Sequence, residues 1–122
     1  TNTGVPVKHF GKGGYIELSE NLDRDPTTFN PYVAGTTPGI IYQDLLIMGH
    51  RVAESADAAP GHIRAFDVRT GERKWIFHTI PQPGEVGYES WDDPNAWKEF
   101  GGANNWAGMS LDEERGILYV PT

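Results

Sequence analysis

The stretch Ala65-Phe66-Asp67-Val68-Arg69-Thr70-Gly71-Glu72-Arg73-Lys74-Trp75 decides the fold, because it joins a strand, a tight turn and a return strand. Ile63 and Ala65 alternate with outward-facing neighbours as the first strand. Asp67 and Thr70 carry side-chain oxygens that hydrogen-bond turn backbone, and Gly71 takes the positive φ that such hairpins need. Trp75-Ile76-Phe77 is then a β-prone return strand.

Upstream, Ile40-Ile41-Tyr42 and Leu45-Leu46-Ile47-Met48 flank Gln43-Asp44 and predict a short hairpin whose near-continuous apolar runs are buried on both faces. Residues 19 to 38 carry Asp23, Asp25, Pro26, Asn30, Pro31, Gly35 and Pro38 and read as an irregular connection. Asp23-x-Asp25 lacks the glycine and distal glutamate of a calcium loop, which leaves a solvated turn. Downstream, Pro81-Gln82-Pro83-Gly84 breaks the return strand and opens an excursion to about Gly102 with one helical signal. There Asp93 is the expected cap, Pro94 suits the first helical position, and Gly101 ends the turns begun at Ala96. Ala107 to Leu111 and Ile117 to Val120 bracket a polar turn. The chain is therefore expected to be all-β, with antiparallel hairpins over 39–49, 62–79 and 106–121 and little helix beyond 93–100.

Composition narrows the function. With 38% hydrophobic and 22% charged residues and a mean hydropathy of -0.50, no apolar run approaches the roughly eighteen residues that span a bilayer. A net charge of -7 with scattered Lys and Arg argues against phosphate-backbone binding, so nucleic acid is not an expected partner. The absence of cysteine removes disulfides and thiolate catalysis. His9, His50, His62 and His78 share no metal-binding spacing, and His62 and His78 read as half-exposed strand residues. No phosphate loop, nucleophile elbow or catalytic dyad appears, so no catalytic residue is assigned.

The pattern Ala65-x-Asp67-x-x-Thr70-Gly71-x-x-x-Trp75 resembles the tryptophan-docking motif of the quinoprotein glucose and alcohol dehydrogenases, β-propellers built around pyrroloquinoline quinone (PQQ). Thr3-Gly4-Val5-Pro6-Val7-Lys8-His9-Phe10 reads like the second half of another such repeat, and Phe10-Gly11-Lys12-Gly13-Gly14 is similar to a segment that follows a docking motif in the glucose enzymes. The resemblance implies part of an eight-bladed propeller: residues 1–122 as two to three incomplete blades without a separate second domain. A propeller needs several blades of about forty to fifty residues, and Val120-Pro121-Thr122 ends without a capping element, so a longer parent chain is expected.

The same resemblance assigns a site. Glu54 falls where a carboxylate binds Ca2+ beside PQQ, although by residue type alone it is a surface acid. Arg51 would pair with a PQQ carboxylate, or else form a surface ion pair. Trp106, within Gly101-Gly102-Ala103-Asn104-Asn105-Trp106-Ala107-Gly108, matches the tryptophan on which PQQ stacks, against the alternative of a core indole. Asn104 falls on a position that hydrogen-bonds the cofactor. Thr36-Thr37-Pro38 resembles a segment whose threonine reaches the quinone, with Thr37 taken as the matching hydroxyl and Thr36 as the alternative. Trp91 and Trp97 either shape a substrate entrance or fasten the excursion to the propeller.

Implied in turn are oxidation of a sugar (glucose-like) or alcohol in the periplasm and electron transfer to ubiquinone or a cytochrome. The base and a further calcium ligand, an asparagine, are expected beyond Thr122, so the isolated 122 residues are expected to be inactive. The rivals are a non-catalytic propeller scaffold, which has no reason to carry Glu54 together with Asn104-Asn105-Trp106, and an autonomous binding module.

Overall fold

A computed structural model describes residues 3–122. Its centre is a four-stranded antiparallel meander of β2 (Ile40–Tyr42), β3 (Leu45–Met48), β5 (Ile63–Asp67) and β6 (Arg73–Phe77), in that order across the sheet. That is the strand arrangement of a propeller blade. Two smaller pairs flank it: β1 (Val33–Ala34) with β4 (Arg51–Val52), and the hairpin of β7 (Ser110–Asp112) and β8 (Ile117–Tyr119). The expected hairpins are thus present, with shorter strands.

The Asp67–Gly71 turn works as its residue types demand. One Asp67 carboxylate oxygen accepts the Arg69 and Thr70 amides, each at 2.9 Å, and the Thr70 hydroxyl accepts the Glu72 amide. These bonds, that from Thr70 foremost, hold the Asp67 carboxyl below its usual range. Gly71 has φ +75°, as the turn requires. A register shift between Ala65 and Phe66 adds twist to the β5–β6 pair. Trp75 is 38% exposed and lines an open groove of about 580 Å3 between the blade and the chain at Leu118 and Val120, together with Ile63 and Phe77.

Three expectations need correction. The β2–β3 hairpin is not buried on both faces: Ile41 is 56% exposed, because β2 is an edge strand paired only with β3. The doubly buried strand is β5, between β3 and β6. Its Arg64 is buried and donates to the carbonyls of Leu18 (2.6 Å) and Glu20 (2.8 Å), so the residue 18–23 loop covers one face. Secondly, Thr3 to Phe10 forms no strand: residues 4 to 7 are irregular, and turns run from Lys8 through Gly14, with Gly4, Gly11, Gly13 and Gly14 at positive φ. The Phe10 ring nevertheless lies against Gly71, and the Gly11 amide donates to the Thr70 carbonyl at 2.8 Å. Thirdly, the helix is the single turn Ala96–Glu99, α1, with Asn95 at its N-cap. Asp93 instead accepts the Asn95 amide at 2.8 Å one step earlier.

The core has two parts. Ile47, Ile63 and Ala65 lie under the blade against Leu118 and Val120, while Leu22, Phe29, Val52, Ala58 and Ala59 pack beneath β1 and β4. The second part is the floor under the candidate site.

Candidate functional site

Strand alternation builds the first wall. On β4 the Val52 side chain enters the core, which turns its neighbour Arg51 outward; Ala53 and Glu54 continue along the rim. The opposite wall is Gly101–Gly108, far away in sequence and fastened by backbone. The Gly102 amide donates to the Ala59 carbonyl (3.0 Å) and the Gly61 amide to the Gly102 carbonyl (2.8 Å). Gly61 lies against Asn104 and Gly101 against the Ala58 carbonyl so closely that a Cβ at either glycine would collide. Ala103 adopts φ +50°, a left-handed conformation unusual for alanine, at the bend that presents Asn104.

Between the walls lies a cavity of about 260 Å3 over Val52 and Ala53, lined by Thr36, Arg51, Glu54, Asn104 and Trp106. The structure thus brings Arg51, Glu54, Asn104 and Trp106 into one cavity. Of the two threonines, Thr36 lines it, whereas the Thr37 hydroxyl donates to the Trp106 carbonyl at 2.8 Å. The Trp106 residue is 71% exposed, so among the described residues its indole is not buried in a core. Arg51 and Glu54 approach to 3.5 Å with both side chains largely in solvent, a pair of little energetic weight that leaves either free to take another partner. Among the described residues no group of three or more His, Asp or Glu side chains converges on a metal position, so Glu54 offers one carboxylate and not a complete site. Asp23 and Asp25 form no calcium loop: Asp23 pairs with Arg73 at 2.8 Å and Asp25 caps the 3-10 turn Pro26–Thr28. Trp91 and Trp97 do not line the cavity.

Behind the Arg51 wall lies a cluster that sequence reading misjudged. His62 is fully buried, not half-exposed; it precedes β5, its Nδ1 accepts the Thr79 amide at 3.1 Å, and its ring meets His78 edge-on at 4.6 Å. His78 lies beyond the end of β6 with Nδ1 2.7 Å from Glu85 and Nε2 3.4 Å from Asp23. His50 is 1% exposed, with no partner on either ring nitrogen. Burial, and secondarily the Arg64 charge, pushes His50 down to about 4; burial and then His78 push His62 down to about 3. Burial also lowers Arg64 to about 10. Arg64 and Asn105 escaped notice because strand alternation and an Asn-Asn doublet do not reveal which polar residue faces inward.

A family model described as "PQQ: Glucose/ethanol/alcohol dehydrogenase, beta-propeller domain" matches residues 1–122. The chain is 31% identical to the quinate/shikimate dehydrogenase (quinone) of Acinetobacter baylyi, over 98% of this chain and 14% of that protein. It is 31% identical to quinoprotein glucose dehydrogenase A of Acinetobacter calcoaceticus, over 99% and 14%, and 30% identical to the glycerol dehydrogenase large subunit of Gluconobacter oxydans, over 98% and 16%. The chain therefore spans only about one seventh of the length of these curated relatives. No solved structure matches.

Proposed function

This chain belongs to the β-propeller family of glucose, ethanol and alcohol dehydrogenases, and on that premise we propose that its cavity holds one side of a PQQ in an enzyme that oxidises a sugar or an alcohol. The observation that carries the reading is the exposed indole of Trp106 sharing a cavity with Arg51 and Glu54, which come from a distant stretch of chain. PQQ is a planar tricyclic tricarboxylate. An exposed indole suits its flat face, the Arg51 guanidinium suits a carboxylate, and the Asn104 amide and Thr36 hydroxyl suit its ring-edge oxygens. The close packing of Gly61 against Asn104 and of Gly101 against the Ala58 carbonyl fastens the segment that carries Asn104 and Trp106.

When bound, the quinone supplies the two-electron acceptor. The residues that line the cavity hold and orient it. Glu54 is proposed as one of the six to eight oxygens that Ca2+ takes, the others coming from elsewhere in the protein. Electron delivery to ubiquinone or a cytochrome and a periplasmic location are further parts of the proposal, as is the assignment of residues 1–122 to two to three incomplete blades.

Reconstitution of the full-length protein with PQQ across a calcium titration tests this reading. Glu54→Gln keeps the size but removes a charge that offsets the cation, so the calcium midpoint should rise and excess calcium should restore dye reduction with sugar or alcohol. Normal PQQ and calcium binding by both Glu54→Gln and Trp106→Ala would make the protein's propeller a scaffold at this position.

A further inference from the structure

Trp106 lies in irregular chain just before a bend at Ala107 and its residue is largely exposed, so neighbouring side chains do little to fix it; its backbone must be held instead. Two anchors do so. Asn105 is 1% exposed, and its Nδ2 donates to the carbonyls of Gly108 (3.2 Å) and Pro121 (2.8 Å). The first bond closes the 105–108 turn, which also needs Gly108 at φ +87°; the second ties the turn to the chain leaving β8. The Asn105 side chain also presses on Gly49, where an added Cβ would lie 2.7 Å from its own Cβ. Gly49 leads directly into His50 and Arg51, so one buried amide touches the base of both cavity walls. On the other side, Thr37 donates to the Trp106 carbonyl at 2.8 Å.

We propose that Asn105 and Thr37 are positioning residues that clamp Trp106 from two sides and set its indole relative to Arg51, neither side chain touching the ligand. The inference rests on the reading of Trp106 as a cofactor floor. Asn105 carries a cost that packing alone does not explain: its Oδ1 is buried without a hydrogen-bond partner. A leucine of similar volume would avoid that cost but supply neither donor.

The test uses the full-length protein with 5-fluorotryptophan, the Trp106 resonance being identified by its loss in Trp106→Phe. Asn105→Leu preserves volume and removes both donors, while Thr37→Val removes one bond at a half-buried position and guards against misfolding of the first variant. Each should broaden or split the Trp106 fluorine resonance without PQQ, and each should raise the PQQ dissociation constant about fivefold or more, with the Trp75, Trp91 and Trp97 resonances unchanged. Thr37→Ser, which keeps the donor, should restore both readouts. A sharp, unshifted Trp106 signal with parental PQQ affinity in folded Thr37→Val overturns the inference while leaving the cofactor reading intact. Failure of the parent to bind PQQ overturns both.

Discussion

The docking hairpin and the cavity are built from equally ordinary residues, yet one takes its shape mainly from bonds within its own turn and the other is held by its surroundings. In Asp67–Gly71 the side-chain bonds and the Gly71 amide span two to four residues, so the carboxylate, hydroxyl and glycine shape their own turn, and the remote bonds from Gly11 to Thr70 and from Val68 to Asp44 only dock it. In Gly101–Gly108 the fastenings reach to Thr37, Gly49, Ala58–Gly61 and Pro121. A self-contained turn can be recognised anywhere in a sequence. A surface assembled from remote contacts exists only when the rest of the fold is in place, and it leaves its functional side chains free.

Acid should strain the join between the two regions most. His50 leads into the cavity wall and His62 into β5, and both are buried neutral. The unfolded chain takes up protons near the ordinary histidine value of 6.5, whereas the folded chain does so only at about 4 and about 3. Between those limits the unfolded state binds more protons, so stability is full above about pH 7 and falls as pH drops toward 4. At pH 5 the loss should be roughly 2 kcal/mol for each histidine, measured by urea unfolding at pH 7.5 and 5. A flat profile would mean that these rings are not buried neutral.

Gly101→Ala should separate the regions next. Its methyl would meet the Ala58 carbonyl, and forcing backbone apart there should cost about 1–3 kcal/mol. Hydrogen exchange should quicken at the Gly61 and Gly102 amides while those of β5 and β6 keep their protection. Uniform loss across both regions would show that the hairpin depends on the cavity stitching after all.

The smallest effect is expected in the hairpin. Asp67→Asn retains one oxygen acceptor but removes the charge, so it should lower thermal stability modestly near neutral pH. Because the Asp67 pKa is depressed in the folded state, its contribution is present above the unfolded carboxylate range and disappears as pH falls through the lowered value. Parent and variant should therefore converge in acid, as thermal melts at pH 7 and pH 3 would reveal.

What could be read from the chain follows the same division. The Ala65–Trp75 unit was legible because its spacing fixes its own hydrogen bonds, and the three hairpins followed from apolar runs separated by polar pairs. Burial was read less well. Ile41 and Arg64 look like core and surface by residue type, but edge position exposes the first and the 18–23 loop covers the second. Within the site, Arg51, Glu54, Asn104 and Trp106 were singled out through resemblance, and the fold brings them together. The choice between Thr36 and Thr37 turns on which hydroxyl finds a backbone carbonyl more than sixty residues away, and Asn105 acts through partners that local sequence does not name.

The most direct measurement sets the two tryptophans against each other in the full-length protein. Trp75 belongs to the docking hairpin and lines a groove beside β8; Trp106 stands exposed in the cavity. Unfolding free energy and PQQ affinity are measured for both alanine variants. Trp75→Ala should lose about 2–3 kcal/mol of stability, somewhat less than a fully buried indole, and bind PQQ normally once folded. Trp106→Ala should keep parental stability and lose about 1–3 kcal/mol of PQQ binding, roughly fivefold to 150-fold, at every calcium concentration. If instead Trp106→Ala unfolds the protein and the folded remainder binds PQQ like the parent, the indole is packing and the cavity is not a quinone site.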